Sequence, residues 1–308
     1  MKRRVLLTGG AGFIGSTVAR VFVEAGCEVV VYDALTYAGS SANLAGVDCG
    51  FIHGDVCDAA LLWPLVRTSD VVVHLAAESH VERSLRDPAP FLRSNVDGTR
   101  NVLEACVAAG DLPLVHVSTD EVFGTAAPDQ VFREQDPLRP GNPYAATKAA
   151  AECLVTAWRH TYGLRTRLVR CTNNYGVRQH EEKAVMGWIR RGLRGEALTL
   201  HGRGAAERDW LHVDDFARGL LAVLVYEGPR EVFHFAGQNH RTNAEMARII
   251  APLVGAEIVQ VADRPGQDAR YALDDEGTRR DLGWAPTIAL EDGVRALVAA
   301  VRAEGSCG

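Results

Sequence analysis

Short apolar runs alternate with longer amphipathic segments over the first 170 residues of the chain. The short runs are rich in Val and Leu, and most lack the apolar–polar alternation that marks a strand with one solvated face. They predict strands at Val5–Thr8, Glu28–Tyr32, Phe51–His53, Val71–Leu75, Leu114–Val117 and Thr166–Arg170. Helical periodicity between them predicts helices at Phe13–Ala25, Ala59–Val66, Phe91–Ala109 and Tyr144–Tyr162. Repeated strand–helix–strand units predict an α/β fold built on a doubly wound parallel sheet.

The pattern changes after Arg170, where the elements become shorter and richer in glycine and arginine. Helical patterns recur at Asp214–Tyr226, Asn243–Val254 and Leu290–Ala303. An apolar run at Val232–Phe235 is typical of a strand that returns to the first sheet. We therefore expect a Rossmann domain over residues 1–174 and a smaller C-terminal α/β lobe that binds substrate over residues 175–308, with residues 213–236 returning to the first domain.

Composition and charge narrow the classes of protein to consider. With 308 residues, 47% apolar and 23% charged, the chain has the composition of an ordinary globular protein. A formal net charge of −6 without a basic cluster argues against nucleic-acid binding, and the lack of a long apolar run predicts no membrane span. Seven cysteines without a C-x-x-C pair indicate a reducing compartment, so we expect a cytoplasmic protein without disulfides or a bound metal.

A glycine-rich segment, G-x-x-G-x-x-G, follows the first predicted strand and leads into the first predicted helix. Gly9 permits a tight turn, Gly12 lets the backbone approach a pyrophosphate, and Gly15 lets the helix pack closely on the strand. The free N–H groups and the positive dipole at the helix start favour phosphate binding. The alternative is an ordinary glycine turn, since three glycines alone are weak evidence.

Acidic residues at two strand ends strengthen the prediction of a dinucleotide site. Asp33 follows the second predicted strand, where a carboxylate can accept hydrogen bonds from an adenosine ribose. A carboxylate there favours NAD over NADP, because it repels a 2′-phosphate. Asp55 follows the third predicted strand and is placed to meet the adenine edge, although it is equally suited, with Asp58, to capping the next helix.

A tyrosine and a lysine share one face of the predicted helix 144–162, because Tyr144 and Lys148 are four residues apart. A phenol with a pKa of about 10 is a poor base at neutral pH, but a nearby ammonium group stabilises the phenolate and lowers that pKa. Such a pair can take a proton from a sugar hydroxyl while a cofactor takes a hydride. A chance pair is the alternative, expected roughly 0.07 times in a chain of this composition.

Two adjacent carboxylates follow the predicted strand 114–117, at the edge of the sheet where such folds bind ligands. Ser118 or Thr119 is placed to hydrogen-bond the sugar oxygen. Asp120 and Glu121 come next, and two carboxyls crowded into one desolvated site cannot both ionise easily. One of them can therefore act as an acid while the other acts as a base. The alternative is a pair of solvated loop acids without a catalytic role.

These motifs, and others in the same order along nearly the whole chain, resemble the extended short-chain dehydrogenase/reductase family. Within that family the chain is most similar to the dTDP-glucose 4,6-dehydratases. The similar strings are TGGAGFIGS, YDALTYAGSSANL, HLAAESHVERS, STDEVFG, NPYAATKAA, CTNNYG, ERDWLHVDD and VADRPGQDARYALD. Related epimerases and decarboxylases share the glycines and the Tyr–Lys pair but usually lack the Asp–Glu pair.

The resemblance implies three chemical steps on a bound NAD. Tyr144, aided by Thr119 and Lys148, takes the proton of the sugar 4-hydroxyl as hydride leaves C4. Glu121 then removes the C5 proton while Asp120 protonates the departing 6-hydroxyl. Hydride finally returns to C6 and a proton to C5, so that a nucleotide-hexose, most typically dTDP-glucose, becomes the nucleotide-4-keto-6-deoxy-hexose.

The resemblance also implies binding positions along the chain. Those expected to bind the cofactor are Gly9, Gly12, Phe13, Ile14, Gly15, Asp33, Asp55, Val56, Leu75, Ala76, Ala77, Ser118, Tyr144, Lys148 and Asn173. Those expected to bind the substrate are Ser79, His80, Arg83, Asn174, Glu182, Lys183, Arg208, Asn243, Arg264 and Tyr271. Arg208 and Arg264 are expected on the pyrophosphate, and Asn243 and Tyr271 at the nucleotide end.

The chain departs from the family pattern at three positions near the expected substrate. Val177 and Glu181 stand where the family usually has proline, and Gln267 stands where it usually has histidine. These departures leave the nucleotide, dTDP or UDP, and the hexose open. The resemblance further implies a homodimer in which the predicted helices 91–109 and 144–162 pair with their copies.

Two other functions stay open on the sequence. A nucleotide-sugar 4-epimerase or uronate decarboxylase would use the same scaffold but would leave Asp120 and Glu121 without a role. A non-catalytic NAD-binding regulator would need none of the acid–base residues, so their presence argues against it. Fold alone does not decide among these functions.

Overall fold

The computed structural model describes residues 2–263 and 268–306. Its strands are β1 (Arg4–Thr8), β2 (Glu28–Asp33), β3 (Gly50–His53), β4 (Val71–His74), β5 (Leu114–Thr119), β6 (Thr166–Cys171), β7 (Asn173–Tyr175), β8 (Leu198–His201), β9 (Glu207–His212), β10 (Val232–Phe235), β11 (His240–Thr242) and β12 (Ile258–Val261). Its helices are α1 (Phe13–Glu24), α2 (Ala59–Arg67), α3 (Val81–Arg86), α4 (Ala89–Phe91), α5 (Gly98–Ala108), α6 (Pro143–Tyr162), α7 (Ala184–Leu193), α8 (Val213–Val225), α9 (Asn243–Val254), α10 (Glu276–Leu282) and α11 (Leu290–Ser306). Within these ranges, no helix combines the length and apolar character needed to cross a membrane.

The central sheet runs in the order β10-β6-β5-β4-β1-β2-β3, and every pairing in it is parallel. Helices α1 and α8 bury apolar side chains such as Phe22 and Phe216 against one face. Helices α2, α5 and α6 bury Leu62, Leu103 and Val155 against the other. The predicted doubly wound parallel sheet is therefore confirmed. Strand order reverses between β1 and β4, which opens a crevice beyond their carboxyl ends.

The second lobe contains two small sheets, ordered β11-β9-β7 and β12-β8. They pack with α7, α9 and α11 around a separate apolar core that includes Trp188 and Ile250. The boundary predicted at residue 174 falls inside β7, so this lobe's sheet already begins at Asn173. Residues 213–236 lie with the first domain, because α8 packs beside α1 and β10 pairs with β6. The division into two domains stays a prediction.

The helix predicted over 91–109 is wrong as a single α-helix. The segment Leu92–Asp97 is a π-helix between α4 and α5. Its buried Asn95 accepts a hydrogen bond from the Glu78 N–H (2.8 Å) and donates to the Thr147 hydroxyl (2.9 Å). The inserted residue of a π-helix turns a side chain inward, and here that side chain ties the segment to the loop after β4 and to α6.

Candidate active site

A cavity of about 710 Å³ lies beyond the carboxyl ends of β1, β4 and β5, with residues of the second lobe on its far side. The predicted residues that line it are Gly9, Gly12, Phe13, Ile14, Gly15, Asp33, Asp55, Val56, Leu75, Ala76, Ala77, Ser79, His80, Ser118, Thr119, Asp120, Glu121, Tyr144, Lys148, Asn173, Asn174, Glu182 and Lys183. The predicted residues Arg83, Arg208, Asn243 and Tyr271 are not among its lining, and Arg264 and Gln267 lie outside the described residues.

The glycine loop leaves backbone donors open toward this cavity. Gly9 has a φ of 70°, and a Cβ atom there would lie 2.6 Å from the backbone nitrogen of Ala76. A Cβ on Gly12 would meet only the carbonyl oxygen of Gly9, at 3.4 Å, and otherwise faces the cavity. Gly12 is also the N-cap of α1 and contributes no side-chain cap, so the first N–H groups of the helix stay available. This loop fits a pyrophosphate.

Asp33 is fixed at the end of β2 by two backbone donors. One carboxylate oxygen accepts from the N–H of Ala11 (2.9 Å) and the other from the N–H of Leu35 (2.8 Å). Each oxygen keeps a lone pair for a ribose hydroxyl, which fits the adenosine side of a dinucleotide.

Two roles were left open for Asp55, contact with the adenine and capping of the next helix. The residue that caps α2 with its side chain is Asp58. Asp55 lines the cavity and accepts a hydrogen bond from the Arg93 guanidinium at 2.6 Å.

The Tyr–Lys pair lies in the first turns of α6. The helix begins at Pro143 because Asn142 caps it, accepting from the N–H of Ala145 (2.9 Å). Lys148 is buried and donates from Nζ to the carbonyl oxygen of Val117 (2.7 Å). Burial lowers the pKa of Lys148 to about 8, so its ammonium form still prevails at neutral pH.

The expectation of a lowered pKa for Tyr144 is wrong. Burial, followed by the charge of Glu121, raises the pKa of Tyr144 well above its ordinary value. The hydrogen bond with Thr119 acts in the opposite direction but does not reverse the shift. The helical spacing indicated a shared face correctly, but it carried no information on how deeply the phenol is buried or on the carboxyls beside it.

Asp120 and Glu121 begin a 3-10 turn directly after β5. Asp120 is 2% exposed, and its Oδ1 accepts a hydrogen bond from the Thr119 hydroxyl (3.1 Å). Burial and the neighbouring charge of Glu121 raise the pKa of Asp120 well above its ordinary value. Burial also raises the pKa of Glu121, but the positive charge of Lys183 opposes that shift. The site therefore favours a protonated Asp120 beside a more readily ionised Glu121, an acid next to a base.

Tyr271 lies beside the acid–base pair, and its expected role at the nucleotide end stays a prediction. Its hydroxyl oxygen is 2.7 Å from Oδ2 of Asp268 and 3.5 Å from Oε2 of Glu121, so it lies at the acid–base pair. Asn142 also reaches this carboxylate, donating from Nδ2 to Oε2 of Glu121 (3.3 Å). The sequence reasoning missed Asp268 and Asn142. Only Asn142 had a local signal, an Asn-Pro cap at a helix start.

Other predicted substrate residues pair with each other at the cavity's rim. Arg83 donates to Glu182 from Nη2 (2.7 Å) and from Nε (3.1 Å), and its guanidinium lies 3.8 Å from the ring centroid of Tyr37. Lys183 donates to the carbonyl oxygen of Ser79 (2.9 Å). These contacts join the first domain to the segment before α7 beside the predicted sugar site.

Two further predicted substrate residues lie in the second lobe. Arg208 donates to the carbonyl oxygen of Asp268 (2.9 Å), and its guanidinium lies 4.5 Å from the ring centroid of Tyr271. Asn243 begins α9, and its N–H donates to the carbonyl oxygen of Ala206 (2.9 Å). Neither contact tests the predicted phosphate or nucleotide role.

Comparison with known proteins gives one family. Residues 5–233 match the model of the NAD dependent epimerase/dehydratase family. The dTDP-glucose 4,6-dehydratase of Streptomyces niveus is 41% identical over 304 residues, which cover 94% of this chain and 90% of that protein. The crystal structure of a dTDP-glucose 4,6-dehydratase from Streptomyces venezuelae, with NAD and TYD bound, has a TM-score of 0.95 and 42% identity, covering 99% of this chain and 98% of that chain.

The same fold also occurs in epimerases. The UDP-glucose 4-epimerase of Thermus thermophilus, in complex with NAD, has a TM-score of 0.91 and 31% identity, covering 97% of this chain and 99% of that chain. Overall shape therefore does not separate dehydration from epimerisation. The side chains at the end of β5 have to make that distinction.

Proposed function

The chain belongs to the NAD dependent epimerase/dehydratase family, and on that premise we propose that it is a nucleotide-sugar 4,6-dehydratase. It converts a nucleotide-hexose, dTDP-glucose first among the candidates, to the nucleotide-4-keto-6-deoxy-hexose. The observation that carries this proposal is the adjacent pair of a buried Asp120 and a half-buried Glu121, placed in the same cavity as Tyr144 and Lys148. Oxidation and reduction alone need one proton acceptor, whereas the loss of water also needs an acid and a base.

NAD fits the cofactor half of the cavity. The open N–H groups of the glycine loop suit its pyrophosphate, and Asp33 suits the adenosine ribose. When bound, NAD accepts a hydride from the sugar and later returns it. The chain's own residues bind the dinucleotide, hold the sugar next to it and move the protons.

The first proton transfer is assigned to Tyr144. As the phenolate it takes the proton of the sugar 4-hydroxyl, while the hydride leaves C4 and a 4-ketone forms. Burial opposes the ionisation of Tyr144, whereas the hydrogen bond with Thr119 favours the phenolate. Lys148, still charged at neutral pH, places a positive charge in the same cavity.

The elimination is assigned to Asp120 and Glu121. The new ketone acidifies the C5 hydrogen, and Glu121 takes that proton as the C5–H electrons form the C5–C6 double bond. The C6–O bond breaks, and the proton of Asp120 leaves with the hydroxyl as water. Hydride addition at C6 and return of the proton from Glu121 to C5 complete the product, with no net oxidation. Tyr144 then holds one extra proton and Asp120 lacks one, and exchange with solvent resets both residues for the next turnover. Burial and the charge of Glu121 raise the pKa of Asp120 and so favour its protonated form, which suits an acid in this step.

Product mass tests the reaction. The purified chain is incubated with a panel of nucleotide-hexoses, including dTDP-glucose and UDP-glucose, together with UDP-glucuronate. Loss of one water supports dehydration, an unchanged mass with altered stereochemistry indicates epimerisation, and loss of carbon dioxide indicates decarboxylation. The panel also identifies the nucleotide, which the departures at Val177, Glu181 and Gln267 leave open.

Two variants separate the elimination from the oxidation. Glu121→Gln should still reduce bound NAD⁺ when substrate is added, but it should exchange little solvent deuterium into C5. Asp120→Asn should keep the C5 exchange but release water slowly, because an amide is a poor acid. Near wild-type product formation by both variants would leave the dehydratase assignment without its acid and base.

We also propose that two copies pair through the faces of α5 and α6, as the resemblance implies. Leu92 (51% exposed) and Tyr162 (53% exposed) are large apolar side chains at the ends of this helical region. Leu103 of α5, by contrast, is fully buried within the chain and belongs to its core. The proposed location is the cytoplasm, in keeping with free cysteines throughout the described part of the chain. Sedimentation and cell fractionation test these two points.

A further inference from the structure

The hydroxyl of Tyr271 lies between two carboxylates. Its oxygen is 2.7 Å from Oδ2 of Asp268 and 3.5 Å from Oε2 of Glu121, and the tyrosine is 3% exposed. A phenol has one proton to donate, and the shorter distance assigns it to Asp268. The second oxygen of Asp268 is occupied as well, since Oδ1 accepts from the Thr125 hydroxyl (2.7 Å). Tyr271 therefore offers Glu121 only its lone pairs.

A lone pair facing a carboxyl group favours the protonated acid, which can donate to it, over the carboxylate, which cannot. Other groups around Glu121 act in the opposite direction. Lys183 and Arg208 place positive charges near it, and Asn142 donates to the same Oε2 atom. Tyr271 is thus an acceptor in surroundings that otherwise hold Glu121 in its ionised form.

Negative and neutral groups complete these surroundings. Asp268 disfavours a negative charge on Glu121, and the adjacent Asp120 and the phenol of Tyr144 are both electrostatically coupled to it. Burial raises the pKa of both Asp120 and Tyr144, which favours their neutral forms. The balance between Lys183 and Arg208 on one side and Asp268 with Tyr271 on the other therefore sets how readily Glu121 holds a proton.

We propose that Asp268 and Tyr271 form a positioning pair that holds Glu121 while it carries the C5 proton, an inference that rests on the proposed dehydratase function. Asp268 fixes the phenol proton, and the phenol oxygen then accepts from the newly protonated Glu121. The proton that leaves C5 forms the O–H bond of Glu121, and the same bond breaks when C5 is protonated again. Tyr271 gains and loses no proton in the cycle.

Two substitutions test the pair, starting from a wild-type protein shown to form the dehydrated product. Tyr271→Phe removes the acceptor and should slow single-turnover water loss about tenfold, the rate equivalent of one hydrogen bond. Its C4 oxidation should be unchanged, so reduced cofactor should accumulate during turnover. When the rate of water loss is plotted against pH, its acid limb should move down by about one pH unit. The reason is that protonated Glu121 loses the phenol oxygen that accepts its hydrogen bond.

Asp268→Ala should move the acid limb further in the same direction. The freed hydroxyl of Tyr271 can then turn and donate to Glu121, which stabilises the carboxylate. Tyr175→Phe is the matched control, because its hydroxyl is also buried but lies 3.5 Å from the carbonyl oxygen of Leu290 in the core of the second lobe. This control should behave as the wild type in all three measurements.

The possible outcomes separate the two proposals. If the wild type forms no dehydrated product from any sugar of the panel, the proposed function fails and this inference fails with it. If the wild type dehydrates its substrate and Tyr271→Phe shows no accumulated reduced cofactor and no shift of the acid limb, the function stands and the positioning pair is wrong. If Tyr271→Phe slows C4 oxidation and water loss equally and does not shift the acid limb of the pH profile, Tyr271 has only a structural role. That result would also overturn the proposal.

Discussion

Replacing two glycines of the phosphate loop should separate folding from cofactor binding. A Cβ atom on Gly15 would overlap the carbonyl oxygen of Gly9 and come within 2.7 Å of the Cα atom of Gly10. Both neighbours are backbone atoms, so we expect Gly15→Ala to cost about 3 kcal/mol, the upper part of the usual range for overpacking. In a chain of this size that corresponds to a Tm about 6 °C lower.

Gly12→Ala should have the opposite profile. The residue has a φ of −78°, which alanine adopts freely, and its Cβ would meet only the Gly9 oxygen at 3.4 Å. We expect the Tm of the cofactor-free protein to change by less than about 2 °C, because a weaker N-cap and a stiffer unfolded chain roughly cancel. The new methyl group occupies the approach to the helix start, so NAD⁺ should bind at least about a hundredfold more weakly, the loss of two charge-assisted hydrogen bonds.

Thermal unfolding with and without NAD⁺ measures both effects. At a concentration of about 100 times the wild-type Kd, NAD⁺ should stabilise the wild type by about 2.7 kcal/mol, or about 5 °C. The same concentration should stabilise Gly12→Ala by only about 0.4 kcal/mol. An unchanged Tm in cofactor-free Gly15→Ala, or a full NAD⁺-induced shift in Gly12→Ala, would refute the roles assigned to these two glycines.

Three further predictions concern α6 and its surroundings. Tyr144→Phe should slow C4 oxidation by about 10²–10⁴-fold, the usual contribution of a general base, as followed by NADH absorbance in a single turnover; near-normal turnover would remove Tyr144 from the mechanism. Arg170 and Glu152 form a buried ion pair (2.7 Å), so Arg170→Met should cost about 3–5 kcal/mol in urea unfolding, whereas Arg170→Met with Glu152→Met should recover most of that loss; additive losses would contradict this. Burial lowers the pKa of Lys148 from 10.5 to about 8, so between these pH values the unfolded chain holds a proton that the folded chain lacks. Stability due to Lys148 therefore rises with pH over that window, and the Tm of the wild type minus that of Lys148→Met should increase from pH 8 to 10.5; a constant difference would argue against the shift.

Local patterns in the sequence predicted most of the first domain and the chemistry of its cavity. Parallel strands buried on both faces are continuous apolar runs, and the glycine loop, Tyr144 and Lys148 are recognised within a few residues of sequence. Strand ends were less visible, since β5 continues through Ser118 to Thr119, two residues past the predicted end. Polar residues at the carboxyl end of a buried strand interrupt the apolar run, although the backbone still pairs with β6.

Contacts between distant segments could not be predicted from local patterns. Tyr271 reaches Glu121 only because the chain returns to the first domain after β12, and nothing near either residue indicates the other. The direction of the Tyr144 pKa shift depends in the same way on burial by the complete fold. Asn95 and its π-helix interrupt a segment whose apolar periodicity continues across the interruption, so the pattern predicted one unbroken helix.

The central claim is that one cofactor takes hydride from C4 and the same turnover returns it to C6 with loss of water. A substrate that carries deuterium at C4, converted by the purified protein in ordinary water, tests this most directly. The account predicts a dehydrated product with the deuterium at C6 and none in the solvent, as read by mass and NMR. Deuterium that remains at C4 in a sugar of unchanged mass and inverted C4 configuration would contradict it and would identify epimerisation as the reaction.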